Sequence, residues 1–256
     1  MAVSGGVTLA EAARAVTGEP DFKQQLSELV QRLQNALGAR LISVILYGSA
    51  TTGDWQKKTS DLNVLCVLSQ LSAEELGTCE SVFRWWEKDG NPSPLLLTVE
   101  EVQTSTDCFP MEFSDMREHR IVLYGKDVIE NLEIDRSFYR AQVEHELRAK
   151  HIRLRQKAAD VLSVPDKLLN LLIDSLSTFC VLGRHALVLS GGEAHFKKAE
   201  ILAALERVMN RRLEASTEIL TLRSTPKQSS AHVRTLFERY LEEMGSLVRF
   251  VDALDK

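Results

Sequence analysis

Apolar residues recur at helical spacing at Phe22, Leu26, Leu29, Val30, Leu33 and Leu37, behind Pro20 and ahead of Gly38. Proline suits a first helical turn and glycine a helix end, so the spacing predicts a helix over residues 20–37. Two shorter apolar runs, residues 41–47 and 62–68, are too brief for helices and rich in Val, Ile and Leu, and they read as buried strands. A helix is predicted over residues 73–88, closed by the Asp89-Gly90-Asn91-Pro92 breaker and followed by a third strand at residues 93–99. Residues 108–113 read as a fourth strand. A helix through residues 115–120 then leads to a short strand at residues 121–124.

Beyond residue 134 the pattern turns helical throughout, without internal repeats. One helix is expected over residues 137–161. Pro165 opens another whose residues 168–189 are apolar nearly all round, as in the central helix of a bundle, until Ser190-Gly191-Gly192 stops it. A further helix covers residues 197–209. The last carries Val233, Leu236, Phe237, Tyr240, Leu241, Met244, Leu247, Val248 and Val251 on one stripe, capped by Ser229 or Ser230. Residues 1–19 are small and polar and read as a flexible segment, within which residues 9–16 could form a short helix. The expected organisation is α+β: a small mixed sheet with flanking helices over residues 20–134, then an all-α helical bundle over residues 135–256.

Composition adds limits. With 44% apolar and 26% charged residues, the chain can bury a substantial core. A net charge of −5 argues against a broad footprint for duplex nucleic acid, while leaving room for a local basic groove. Cys66, Cys79, Cys108 and Cys180 show no metal-binding spacing and are expected as buried free thiols in a reducing compartment. No secretory leader pattern and no unbroken apolar run of membrane-spanning length is visible, so a cytoplasmic protein without a membrane partner is expected.

The chemistry concentrates at Tyr47-Gly48-Ser49 and Asp61-Leu62-Asn63, with eleven residues between Ser49 and Asp61. Gly48 lets backbone approach a phosphate closely, and the Ser49 hydroxyl can donate to a phosphate oxygen. Alternate strand residues share a face, so Asp61 and Asn63 point the same way, about 6.5 Å apart. Paired carboxylates there would share Mg2+, an oxygen-seeking ion that takes one or two carboxylates together with substrate phosphates.

The string Leu46-Tyr47-Gly48-Ser49, the gap, and Asp61-Leu62-Asn63-Val64 resembles the signature of the DNA polymerase β-like nucleotidyltransferase superfamily. The layout is also similar to the antibiotic (aminoglycoside) nucleotidyltransferases and their bacterial relatives. Ile121-Val122-Leu123-Tyr124-Gly125 resembles the strand that closes such domains. The resemblance implies phosphate contacts from Gly48 and Ser49, a metal ligand at Asp61, Mg2+ as cofactor and a nucleoside triphosphate as partner. It departs at residue 63, where Asn offers a neutral oxygen in place of the second acid. A third acid, which the family carries on a following strand, is not available within residues 93–99. Glu112, between Met111 and Phe113, is the candidate for that role, with Asp115 as its neighbour.

Two functions stay open on this reading. One is Mg2+-dependent transfer of a nucleoside monophosphate to an unknown acceptor. The other is a non-catalytic module that binds nucleotide or a protein partner. Lys57, Lys58 and Asp54 in the gap, His119, the Trp85-Trp86 pair, and the basic residues Arg148, Lys150, Arg153, Arg155 and Lys157 are weaker candidates, for which a structural or solvated role is the leading reading.

Overall fold

Phe22, Leu26, Leu29, Val30 and Leu33 are buried on one face of helix α1 (Pro20–Leu37), which ends at Gly38 in the left-handed region (φ +55). The computed structural model describes residues 20–52, 61–222 and 229–254 and divides the chain into two units, residues 1–137 and 138–256.

In the first unit, strands β1 (Leu41–Tyr47), β2 (Asn63–Leu68), β3 (Leu95–Thr98) and β4 (Arg120–Gly125) form one mixed sheet of order β3-β2-β1-β4. β1 pairs antiparallel with β2 and β4, and β2 pairs parallel with β3. The parallel step is spanned by α2 (Ala73–Lys88). Both sheet faces are covered, which is why the strands read as continuous apolar runs. Val44, Leu46, Val64, Cys66 and Leu68 pack on α1 and on Cys79, Val82 and Trp86 of α2. Ile45, Leu65 and Val67 pack on the opposite side, against Val102 of α3 (Val99–Thr104) and Phe113 and Met116 of α4 (Pro110–Glu118). Each such side chain contributes about 1.5–3 kcal/mol on burial.

One buried polar knot ties these elements. Glu75, with a fully buried side chain, accepts from the Ser72 backbone and hydroxyl, from Gln70 and from Arg40 (2.9 Å). It closes a capping box at the start of α2 and anchors the residue preceding β1. Hydrogen bonds from Ser72, then Gln70 and Arg40, pull its carboxyl down to about 2 against the opposing effect of burial.

The second unit holds helices α5 (Tyr139–Val161), α6 (Pro165–Leu189), α7 (Lys198–Met209), α8 (Glu214–Leu222) and α9 (Ser230–Ala253). α6 packs against α5, α7, α8 and α9. Its composition gives it the length and apolarity of a membrane span, although the sequence shows no unbroken apolar run of that length, and 56% of its most apolar window is buried in the bundle. Gly183 lets α7 approach, since a methyl there would fall 2.7 Å from Leu205 Cδ1.

Three readings are corrected. Residues 108–113 form no strand: Pro110 takes the first turn of α4, its missing N–H costing nothing there, and Met111, Phe113 and Met116 turn inward. Cys108 is exposed, whereas Cys66, Cys79 and Cys180 are buried, and all four are free thiols. Helices α3 and α8 were not expected.

Candidate functional site

β1 delivers Tyr47 into a single 3-10 turn, Gly48–Thr51. Gly48 holds φ +80, a conformation that L side chains rarely adopt. The turn is fastened from within and from the residue that precedes β4. Thr51 Oγ1 lies 2.8 Å from the Gly48 carbonyl and 3.3 Å from that of His119, and Thr52 Oγ1 donates to the Ser49 carbonyl. Ala50 is buried beneath it, which leaves Ser49 on the half-exposed side.

The register sets Tyr47 opposite Asn63, so the turn begins beside the first residue of β2. A β-carbon on Gly48 would lie 3.0 Å from Asn63 Nδ2. Leu62 packs in the same core as Val64, so the alternation continues back past the strand end and gives exposed Asp61 the face of Asn63. The Leu62 N–H donates to Asn91 Oδ1 (3.4 Å), which fixes this approach to β2 from the loop after α2. Gly48, Ser49, Asp61 and Asn63 thus come together at one corner of the sheet.

The third acid is different. On β3, Leu95 and Leu97 are the residues that share the Asn63 face, so this strand supplies no carboxylate. Glu112 stands on α4, the helix that covers this same face, and it is exposed in the first helical turn. There the helix dipole favours its charge. Burial raises the Tyr47 phenol above its usual range, and the Glu112 charge adds to that effect. Asp115 is half-buried on α4.

For Mg2+ the donor set fits sparsely. Among the described residues no group of three His, Cys, Asp or Glu side chains could hold a metal ion. Among the described residues Asp61 is the one carboxylate at the sheet corner, Asn63 adds an amide oxygen, and Glu112 stands on a helix over the same face. Such a set suits an ion that arrives already bound to phosphates better than one held by protein alone.

Sequence reasoning missed the residues that brace the site. Arg120, paired with Tyr47 across the sheet, grips Asp127 (2.8–2.9 Å) and reaches the Met116 and Arg117 carbonyls at the end of α4. Thr51 and Asn91 were signalled only by being hydrogen-bonding residues in turns. Of the weaker candidates, His119 brings its backbone carbonyl to the Gly-Ser turn. Trp86 is core, donating to the Pro92 carbonyl, while Trp85 is half-exposed under Arg32. Asp54, Lys57 and Lys58 lie outside the described residues.

No protein-family model matches the chain, and no curated protein matches it in sequence. Among solved structures, a spectinomycin adenyltransferase from Enterococcus faecialis, determined with ATP and spectinomycin, aligns with a TM-score of 0.58 at 16% identity. The alignment covers 87% of this chain and 98% of that one. Likeness at this identity concerns the fold. The chain has the α+β nucleotidyltransferase fold, a mixed four-stranded sheet with flanking helices followed by a helical region.

Proposed function

We propose that the first unit binds a nucleoside triphosphate with Mg2+ at the Gly48–Ser49 turn and transfers its nucleoside monophosphate to an acceptor hydroxyl, releasing pyrophosphate, at a rate held low by Asn63. The observation that carries this reading is the corner at which Gly48, Ser49, Asp61 and Asn63 meet, on a fold shared with an adenyltransferase solved with ATP. The backbone at Gly48 and the hydroxyl of Ser49 bind phosphate oxygens. Asp61, with Glu112 from α4, would hold Mg2+, which when bound neutralises phosphate charge as the leaving group departs. Asn63 contributes an amide to the nucleotide and removes one negative charge from the metal's surroundings.

A second reading, nucleotide binding without turnover, is favoured by Leu95 and Leu97. They take the β3 positions facing the site, so no strand carboxylate is available to activate an acceptor. Calorimetry of ATP, GTP, CTP and UTP with and without Mg2+, alongside a pyrophosphate-release assay, separates the two. Mg2+-dependent binding lost in Asp61→Ala, with slow pyrophosphate release, supports transfer. Binding without release supports the second reading, and no binding of any nucleotide sinks both.

A further inference from the structure

A pocket of about 170 Å³ opens between α5 and α6 in the second unit. Lys150, Arg153 and Lys157 line it from α5 at spacings of three and four, so their cationic ends share one helix face. Leu154 and Phe179, both buried, form its apolar floor, and Asp174 is the acid in its lining.

Neighbouring cations on α5 are neutralised locally. Glu144 holds both Arg140 and Arg148, and Glu146 lies 3.6 Å from Lys150. Arg153 and Lys157 form no ion pair among the described residues. With Lys150 offset by Glu146, Arg153 and Lys157 against Asp174 leave an excess of one positive charge over an apolar floor, in a chain whose net charge is −5. Like charges at these spacings repel, and an anion between them relieves that repulsion. Arg153 and Lys157 are the two cations that can meet a phosphate group, and a guanidinium can meet phosphate oxygens through two parallel hydrogen bonds.

We propose that this pocket binds a small organic phosphate, with the phosphate between Arg153 and Lys157 and an apolar group on Leu154 and Phe179. The site lies wholly within the second unit and does not depend on nucleotide binding at Gly48.

Phenyl phosphate is the probe, titrated into the full chain while backbone amide resonances are followed, with inorganic phosphate, phenol and benzylamine as comparators. Saturable shifts at residues 150–157 and 171–179 are expected, with phenyl phosphate tighter than inorganic phosphate and no response to benzylamine. The double variant Arg153→Ala, Lys157→Ala should weaken phenyl phosphate binding at least about tenfold, the loss expected from removing one good charge-assisted contact. Its thermal midpoint should stay close to that of the parent because both side chains are exposed. Asp61→Ala should bind phenyl phosphate unchanged, and added salt should weaken binding in the parent. Absence of saturable shifts at these residues, shifts unaltered in the double variant, or tighter binding of a single-stranded oligonucleotide than of phenyl phosphate would overturn the proposal.

Discussion

Asn63 occupies the space that any side chain on Gly48 would need: a β-carbon there would stand 3.0 Å from Nδ2. Two effects therefore oppose Gly48→Ala, the φ of +80 and the crowding against the amide. The backbone effect is the larger, at about 1–2 kcal/mol for a non-glycine residue in this region, whereas the amide can shift by a few tenths of an ångström. Gly48→Ala should lower stability by about 1–2 kcal/mol in urea unfolding, and adding Asn63→Ala should recover less than half of that. Full recovery would show that crowding, and not backbone geometry, selects glycine here.

Asn63→Asp should strengthen Mg2+-dependent nucleotide binding about tenfold or more, since it adds a carboxylate beside Asp61 where the metal and phosphates are proposed to meet. Calorimetry at fixed nucleotide and varied Mg2+ measures this. Unchanged affinity would mean that Asn63 does not face the metal.

Glu75 gives the first unit a pH dependence of known sign. Its carboxyl is held down at about 2, below the ~4.3 of an unfolded chain. Its stabilising contribution is therefore present above about pH 4.3 and lost as pH falls towards 2. Glu75→Gln should lower stability near neutrality and flatten the acid limb over that window, read as urea midpoints across a pH series. An unchanged acid limb would assign acid sensitivity to other carboxylates.

Gly125 ends β4 with φ +76, and a β-carbon there would fall 2.0 Å from the Ile42 carbonyl oxygen. Unlike the amide facing Gly48, this obstacle is backbone and cannot move aside. Gly125→Ala should cost about 3 kcal/mol or more, enough to leave a marginal unit largely unfolded by circular dichroism.

Glu243 of α9 reaches across to cap α8, accepting from the backbones of Ala215 and Ser216 and from the Ser216 hydroxyl at 2.7–2.9 Å. Glu243→Ala leaves these buried donors unsatisfied and should cost about 2–3 kcal/mol. Hydrogen exchange should accelerate first at the start of α8, and uniform acceleration across the second unit would contradict a local capping role.

Much of the first unit was legible because its signals are redundant. Helix α1 is bracketed by Pro20 and Gly38, α2 opens on Ser72 with Glu75 three residues on, and β1 and β2 are covered on both faces. Two misses have physical causes. Pro110-Met111-Glu112-Phe113 alternates like a strand, but an apolar pair at residues 111 and 113 also fits a short helix whose first turn begins at proline. Helix α3 was announced by Thr98 and Glu101, a capping box whose first residue fell inside the run read as strand. The site divided in the same way. Gly48, Ser49, Asp61 and Asn63 are close in sequence and joined by one hairpin-like pairing, so local pattern finds them. Arg120 approaches through tertiary packing, which no short pattern carries, and Glu112 was singled out on a strand-like pattern although it stands on a helix.

The sheet order also has a consequence for how the chain acquires its structure during synthesis. Central strand β1 meets the next strand in sequence, β2, but its other edge is covered by β4, which begins at Arg120. Until residues 120–125 have emerged from the ribosome, the apolar strand that delivers the Gly-Ser turn keeps one row of backbone groups unpaired. Closure of that edge joins segments more than seventy residues apart and carries the loop-entropy cost of a long-range contact. A nascent chain stalled before β4 therefore exposes an unpaired edge of an apolar strand beside its proposed nucleotide site.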